Sequence, residues 1–516
     1  MAETNGADRE IAPTLADQRL LLFSIFIIAG CSLIYELLIS SLSTYLMGSG
    51  VVHYSVTIGL FLFFMGVGAW LAQYRRTRLL DGFIQIEIAL GLVGGLSAVV
   101  LYAVYAWTQY YYPAMLLVIA MISILVGMEI PLLTRVIEQG RGIRQGLSDV
   151  LATDYVGALL ASLLFPFILL PYLGHLLTAF SIGIVNLLVA LLVVWHFRQR
   201  LKHPYRLLSG AIGAVSTLVI AGLFTNTFTG ILERSLYQDP VVYSAQSTYQ
   251  KIVVTERGRD LRMFLNGSLQ FSSLDEYRYH EPLVHLPATH SRTLDRALII
   301  GGGDGLAARE VLRYASIKEV ALVDLDAKVT NLGRDLDRLK TLNDQSLHDP
   351  RVTVYNDDAW RWLAKEGDLF DVIIIDLPDP DTADLARLYT VEFYQKIARR
   401  LSVGGVMITQ ASSPWIERNA FWCIASTLDS VFESMQAVYS NIPSFGPWGY
   451  VMASNTPFNK QRKFPASTRY VTDDNWQFTL QHPNDLPPKV LPINKLQTLP
   501  LMQYYAEGYR ALQNGE

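Results

Sequence analysis

Cysteine is nearly missing from this chain: Cys31 and Cys423 are the only two in 516 residues, one in an apolar run and one in a helical pattern. That scarcity excludes a disulfide framework and a cysteine-built metal site. Charge is scarce as well, 17% of residues against 51% hydrophobic, and the deficit is concentrated before about residue 230. The formal net charge of −4 leaves no cationic excess to neutralise phosphates, so a nucleic-acid partner is not expected. A cleavable leader is not expected either, because the first 19 residues are polar and the apolar run after them is too long for a signal-peptide core.

What the first half does contain is apolar length. Runs of roughly 20 residues, enough to span a bilayer, occur at about 20–46, 51–73, 83–107, 113–134, 149–171, 174–197 and 207–228. Small residues recur along them, as in Gly59, Gly66, Gly68 and Ala72 or Gly91, Gly94 and Gly95, which suits helices packed closely in lipid. A cytosolic tail (1–19) and a multi-pass α-helical membrane domain of about seven spans (20–228) are therefore expected, with the bilayer of the cell (inner) membrane as a partner. Arg75, Arg76 and Arg78, then Arg135, Arg141 and Arg144, then Arg198, Arg200, Lys202 and Arg206 mark alternate loops as cytoplasmic. Seven spans would then leave everything after residue 228 outside. Glu36, Glu87, Glu129 and Asp154 lie in or near these runs and read as interhelical hydrogen-bonding groups, with a cation site as the sharper alternative.

The second half changes character. Residues 229–290 read as a linker and a small antiparallel β-sheet, with Asn266-Gly267 as a hairpin turn. Residues 291–455 alternate strand and helix patterns in the manner of a Rossmann-like, methyltransferase-type α/β domain, and 456–516 reads as an irregular tail. The organising stretch is ALIIGGGDGLAAREVLRYASIKEVALVDLD, residues 297–326: an apolar strand, a four-glycine turn, a helix, and a second strand ending in Asp324 and Asp326. Gly301, Gly302 and Gly303 allow a sharp turn and close ligand approach, and Asp324 is placed to hold ribose hydroxyls. Asp304 inside the glycine loop is the informative departure. A carboxylate there would repel a pyrophosphate, so the ligand expected is a cationic nucleoside of the S-adenosylmethionine type. Later strands end in Asp357, in Asp376 with Asp379 and Asp381 beyond it, and in Gln410.

Taken in order, YQ (249–250), DEYRYHE (275–281), GGGDG (301–305), Asp324, DPRV (349–352), Asp357, DxxDP (376–380) and Gln410 resemble the spermidine synthases, or polyamine aminopropyltransferases. The first half resembles, more loosely, the membrane domain fused to spermidine-synthase-like proteins of bacteria. The resemblance implies transfer of an aminopropyl group from decarboxylated S-adenosylmethionine to putrescine or a related amine, with no prosthetic group and no metal. It assigns Asp376 and Tyr279 to catalysis and Gln250, His280, Gly301, Gly302, Gly303, Asp304, Asp324, Asp357 and Asp358 to the co-substrate. Asp379 and Gln410 go to the acceptor. Asp358 replaces a usual glycine, and Ile442 stands where a tyrosine usually lines the diamine pocket. A different acceptor amine is thus open. A cytosolic co-substrate implies a cytosolic second half, against the arginine count, and soluble relatives imply a homo-oligomer by analogy. Two other readings stay open: an S-adenosylmethionine-dependent N-methyltransferase on the same fold, and a polyamine transporter or sensor with a ligand-binding soluble half. His285 and His290 read as ordinary surface residues.

Overall fold

The computed structural model describes residues 14–47, 50–141, 143–237, 239–481 and 484–514. Most of the expected N-terminal tail, and the side chains of Arg141 and Arg144, lie outside the described residues. The chain divides into two compact units, Met1–Val241 and Val242–Glu516.

The first unit is helical: α1 (Leu15–Met47), α2 (Gly50–Ala72), α3 (Leu79–Trp107), α4 (Tyr111–Arg141), α5 (Ile143–Leu164), α6 (Leu170–Phe197), α7 (Pro204–Leu223) and α8 (Thr225–Tyr237). Among the described residues six helices are long and apolar enough to cross a membrane. The fifth of these is a continuous 51-residue stretch, Leu147–Phe197, where the sequence suggests two spans. At about 1.5 Å per residue such a helix would be far longer than a bilayer is thick. It is not straight. Gly174 leaves helical geometry (φ 66°, ψ −173°), and Thr178 Oγ1 donates to Leu169 O across it at 3.3 Å, a nine-residue separation that no straight helix could close. Close packing uses only some of the small residues. A Cβ on Gly68 would sit 2.1 Å from Ile124 O and one on Gly127 2.1 Å from Met65 O, so α2 and α4 touch backbone to backbone, whereas Gly59 and Gly66 meet nothing within 4 Å. Glu87 and Glu129 are buried inside this bundle. Both cysteines are free and buried.

The second unit opens with a four-stranded antiparallel sheet in the order β1 (Val241–Gln246), β2 (Lys251–Arg257), β3 (Asp260–Leu265), β4 (Ser268–Ser272). Asn266 and Gly267 both take positive φ (48° and 84°), the geometry that suits a two-residue hairpin connection. Next come α9 (Tyr277–His290), β5 (Arg296–Gly301), α10 (Leu306–Leu312), β6 (Glu319–Val323), α11 (Ala327–Asp335), α12 (Asp337–Leu342), β7 (Val352–Tyr355), α13 (Ala359–Ala364) and β8 (Phe370–Asp376). The chain ends with α14 (Ala383–Ala386), α15 (Val391–Arg400), β9 (Leu401–Gln410), α16 (Arg418–Asp429), β10 (Ser434–Ile442), β11 (Gly446–Ser454) and α17 (Pro500–Asn514).

Seven of these strands form a mixed sheet in the order β10-β11-β9-β8-β5-β6-β7, parallel except for the β10–β11 hairpin on the β9 edge. Its central strand β8 is apolar on both faces. Ile373 and Ile375 pack into one core cluster and Val372 and Ile374 into the other, which is why the strand reads as an unbroken apolar run. The Gly404-Gly405 pair is absorbed inside β9 at the register shift opposite Phe370 and Val372. Because the chain runs from β5 outward to β7 and then returns to β8 on the other side of β5, the order reverses between β5 and β8. A ligand crevice is expected at the carboxyl ends of those two strands.

Candidate active site

At that reversal, Gly301 at the end of β5 pairs in register with Asp376 at the end of β8. Gly301 has φ 81°, and a Cβ there would lie 2.0 Å from Asp376 O, so only glycine fits. The next amide, Gly302 N, donates to the same carbonyl at 3.1 Å. Gly303 N donates to Asp324 Oδ2 at 3.1 Å, and Asp324 Oδ1 accepts from Asp326 N at 2.8 Å. Asp304 Oδ1 accepts Leu306 N at 2.8 Å at the start of α10. The amides of the glycine loop thus hold the Asp324 carboxylate and the Asp376 carbonyl, and the loop presents Asp304 at the start of α10.

The helix α9 supplies the facing residues. Tyr279 Oη donates to Asp376 Oδ1 at 2.7 Å, and its ring is surrounded by Phe445, Trp448 and Tyr450. Ile442 is fully buried in the core cluster that also holds Tyr279 and Tyr450. Two prolines sit inside α9, Pro282 and Pro287. Pro282 has no N–H for Arg278 O, and Ser440 Oγ from β10 donates to that carbonyl instead at 2.8 Å.

His280 Nδ1 is 2.9 Å from Glu276 Oε2, one helical turn earlier, and Arg309 Nη2 reaches the same oxygen at 2.8 Å. Arg309 also pairs with Glu310 at 2.8 Å, and Glu310 Oε2 lies 2.9 Å from His285 Nε2. His285 is fully buried with Tyr314 Oη on its other nitrogen at 3.1 Å, and His290 is buried too, so neither is a surface residue. The polar partners of His285 come from α10 and the turn after it, which sequence spacing does not reveal, whereas His290 Nδ1 lies 2.8 Å from Leu286 O of its own helix. Glu276 and Arg309 were not singled out from sequence, although a glutamate four residues before a histidine is a readable helix pair.

Burial is the largest influence on each acid here and favours the neutral form. It pushes Asp304 up to about 6, aided by Asp376 and opposed by His280, and pushes Asp324 up to about 7. Asp376 is raised for the same reason, with His280 and Tyr279 pulling the other way. For His280 burial favours neutrality, but the Glu276 carboxylate outweighs it and lifts the imidazole to about 9. Glu276 is held down at about 2, its hydrogen bond to His280 and the charges of His280 and Arg309 overcoming burial. The site is therefore a set of half-buried carboxylates facing one buried histidinium.

The residues expected on the acceptor side, Asp379 and Gln410, gather beyond β8. Gln410 Nε2 donates to Tyr389 Oη (2.7 Å), Leu377 O (2.9 Å) and Asp379 Oδ1 (3.4 Å), while its Oε1 accepts Ser412 N at 2.9 Å. Ser412 Oγ donates to Asp379 Oδ1 at 2.6 Å, and Tyr505 Oη from α17 donates to Oδ2 at 3.3 Å. Gln250 sits at the other end of the set, its Nε2 donating to Asp326 Oδ2 at 3.1 Å. Asp357 and Asp358 are placed differently. Asp357 accepts Lys365 Nζ at 2.9 Å and the Asp358 amide; Asp358 caps α13 through Arg361 N at 3.1 Å and pairs with Arg387. In this arrangement Asp358 serves the helix. Among the described residues no cluster of three or more histidine, cysteine or acidic side chains is arranged to hold a metal.

Comparison with known proteins places the chain in a family. A polyamine aminopropyltransferase of Leptospira interrogans is 40% identical over 488 residues, 95% of this chain and 98% of that one. The chain belongs to the polyamine aminopropyltransferase family. Aminopropyltransferase 1 of Streptomyces coelicolor is 43% identical over 448 residues, covering 84% and 83% of the two chains. The spermine/spermidine synthase domain matches residues 276–463, which hold every catalytic candidate named above. A solved spermidine synthase in complex with the transition-state analogue AdoDATO is 30% identical, with TM-score 0.45 over 48% of this chain and 86% of that one. The spermidine synthase of Thermotoga maritima compares similarly, 30% identical with TM-score 0.44. As an aminopropyltransferase the chain is a transferase of polyamine biosynthesis.

Proposed function

We propose that this aminopropyltransferase is membrane-bound and transfers the aminopropyl group of decarboxylated S-adenosylmethionine to putrescine or a related amine. The observation that carries the reading is the gathering of Asp304 and Asp376 at the β5–β8 reversal, where Gly301 pairs with Asp376 and Asp304 stands three residues on, two half-buried carboxylates under the influence of the His280 imidazolium. A dication with a sulfonium and a primary ammonium is complementary to that charge; a pyrophosphate is not. Asp304 attracts the ammonium and repels the carboxylate of intact S-adenosylmethionine. Asp324 takes the ribose hydroxyls and Asp357 the adenine amino group, with Gln250 and His280 lining the same co-substrate side.

At the reaction centre Asp376 orients the acceptor nitrogen, held itself by Tyr279. The nitrogen lone pair attacks the methylene next to sulfur, the C–S bond breaks with its electron pair going to sulfur, and the nitrogen's proton passes to the Asp376 carboxylate. The products are a polyamine one aminopropyl group longer and methylthioadenosine. Aligning amine, carbon and sulfonium supplies much of the acceleration, because the leaving group is already activated. Asp379 and Gln410 bind the acceptor. The test is incubation of purified protein with decarboxylated S-adenosylmethionine and a panel of amines, with products identified by mass. Methyl transfer from intact S-adenosylmethionine, without aminopropyl product, would overturn the reading.

A further inference from the structure

The last 61 residues read in sequence as an irregular tail, yet their final helix α17 docks on the catalytic unit. Leu501 is fully buried in the core cluster that contains β8 and α16, and Tyr504 and Tyr505 pack against it. The helix comes close because of Gly508: a Cβ there would stand 2.6 Å from Ile416 O and 2.9 Å from Glu417 Cα. One turn earlier, Tyr505 Oη meets Asp379 Oδ2 at 3.3 Å.

Asp379 lies in the irregular loop after β8, so its own backbone does not fix its carboxylate. Its two oxygens are instead held from opposite sources. Oδ1 takes Ser412 Oγ at 2.6 Å and Gln410 Nε2 at 3.4 Å, both from the end of β9, and Oδ2 takes Tyr505 from the C-terminal helix. All three donors are neutral, so they orient the carboxylate without neutralising it. Burial raises the Asp379 pKa and these three hydrogen bonds oppose it, so an alkylammonium arriving there meets a carboxylate set in a fixed direction.

We infer that Tyr505 is a positioning residue for the acceptor amine, acting through Asp379, and that the C-terminal helix thereby sets acceptor affinity independently of the sulfonium co-substrate. The inference rests on the proposed acceptor role of Asp379. Asp304, Asp324 and Gln250 have no hydrogen bond to α17 among the described residues, so the co-substrate side is not expected to respond.

The experiment is steady-state kinetics of the full chain, with Tyr505→Phe, Asp379→Asn and the double variant, varying each substrate in turn. Losing one hydrogen bond to a charged group should raise the acceptor KM of Tyr505→Phe about three- to tenfold. The co-substrate KM should stay within about twofold. The double variant should be no worse than Asp379→Asn alone, since the hydroxyl acts only through that carboxylate. Gly508→Val, which wedges α17 away from Ile416, should raise the acceptor KM in the same direction. An unchanged acceptor KM in Tyr505→Phe, or an equal rise in both KM values, would overturn the inference and leave α17 a purely structural element. If the wild-type protein makes no aminopropylated amine at all, the proposed function fails first.

Discussion

At the scale of single residues, Asp304 carries the sharpest consequences. Its replacement by Asn keeps the hydrogen bond to Leu306 N in shape but removes the charge that faces an ammonium. The KM for the decarboxylated co-substrate should rise about ten- to a hundredfold, the worth of a charge-assisted bond, and the preference over intact S-adenosylmethionine should collapse. Competition binding of the two nucleosides checks this. A pH effect follows from the same group. Burial lifts Asp304 to about 6, so its charge is present above that pH and is lost as pH falls through it. The co-substrate KM of the wild type should therefore climb below about pH 6, and Asp304→Asn should flatten that limb. Asp376→Asn should instead lower kcat by about 10²- to 10⁴-fold, the usual worth of a positioned base, with little change in co-substrate KM. These carboxylates were legible in the sequence because parallel strands announce their ends, and ligands gather at those ends. Tyr505 was not, because it reaches Asp379 from 126 residues away. His285 was misread for a related reason: its burial partner Glu310 belongs to α10, and no local spacing joins them.

At the scale of elements, α9 shows how a helix with two internal prolines can still aim Tyr279 at Asp376. Its anchor is the buried chain His280–Glu276–Arg309, and removing one member strands the others' charges. Arg309→Met should destabilise the catalytic unit by about 3–5 kcal/mol, read as a loss in unfolding midpoint, and should loosen Tyr279 so that kcat falls as well. The pH sign of this network can be stated. His280 rises from 6.5 to about 9 in the folded state, so its contribution is complete below about pH 6.5 and disappears as pH rises through about 9. Glu276 falls from 4.5 to about 2, so its part is complete above about 4.5 and is lost only in strong acid. The stability gap between wild type and Glu276→Gln should accordingly be widest between those limits and narrow on the alkaline side. In the sequence the segment DEYRYHEPLVHLP gives a helical start, but its prolines argue against continuation. What rescues the helix is Ser440 on a distant strand filling the place of the missing N–H donor, which only the fold reveals.

At the scale of the whole molecule the open question is sidedness, and the first unit constrains it. The arginine-rich loops precede α3, α5 and α7. The chain leaves the bundle at the other end: Ser235 Oγ in α8 donates to Ala106 O near the end of α3 at 3.5 Å, and Tyr45 and Tyr237 hydroxyls meet at 3.4 Å near the end of α1. The sequence could show only that seven apolar runs give an odd count; the position of the exit follows from which helix ends are neighbours. Tyr237, at the end of α8, therefore lies at the same end of the bundle as Thr108, away from Thr77. Two forces then oppose each other. The arginine bias favours placing Thr77 in the cytosol. A doubly cationic sulfonium amine, however, cannot cross hydrocarbon unaided, since each charge costs several kcal/mol or more at the bilayer centre. An enzyme must sit where its co-substrate is made, so the outcome we predict is a cytosolic catalytic unit. Single cysteines at Thr77, Thr108 and Val490, all exposed positions, can be probed in intact cells with a membrane-impermeant thiol reagent, because the native Cys31 and Cys423 are buried. Thr77→Cys should label, while Thr108→Cys and Val490→Cys should be protected until the membrane is broken. Labelling of Val490→Cys from outside would mean that the arginines prevail, and that the co-substrate reaches this enzyme by export.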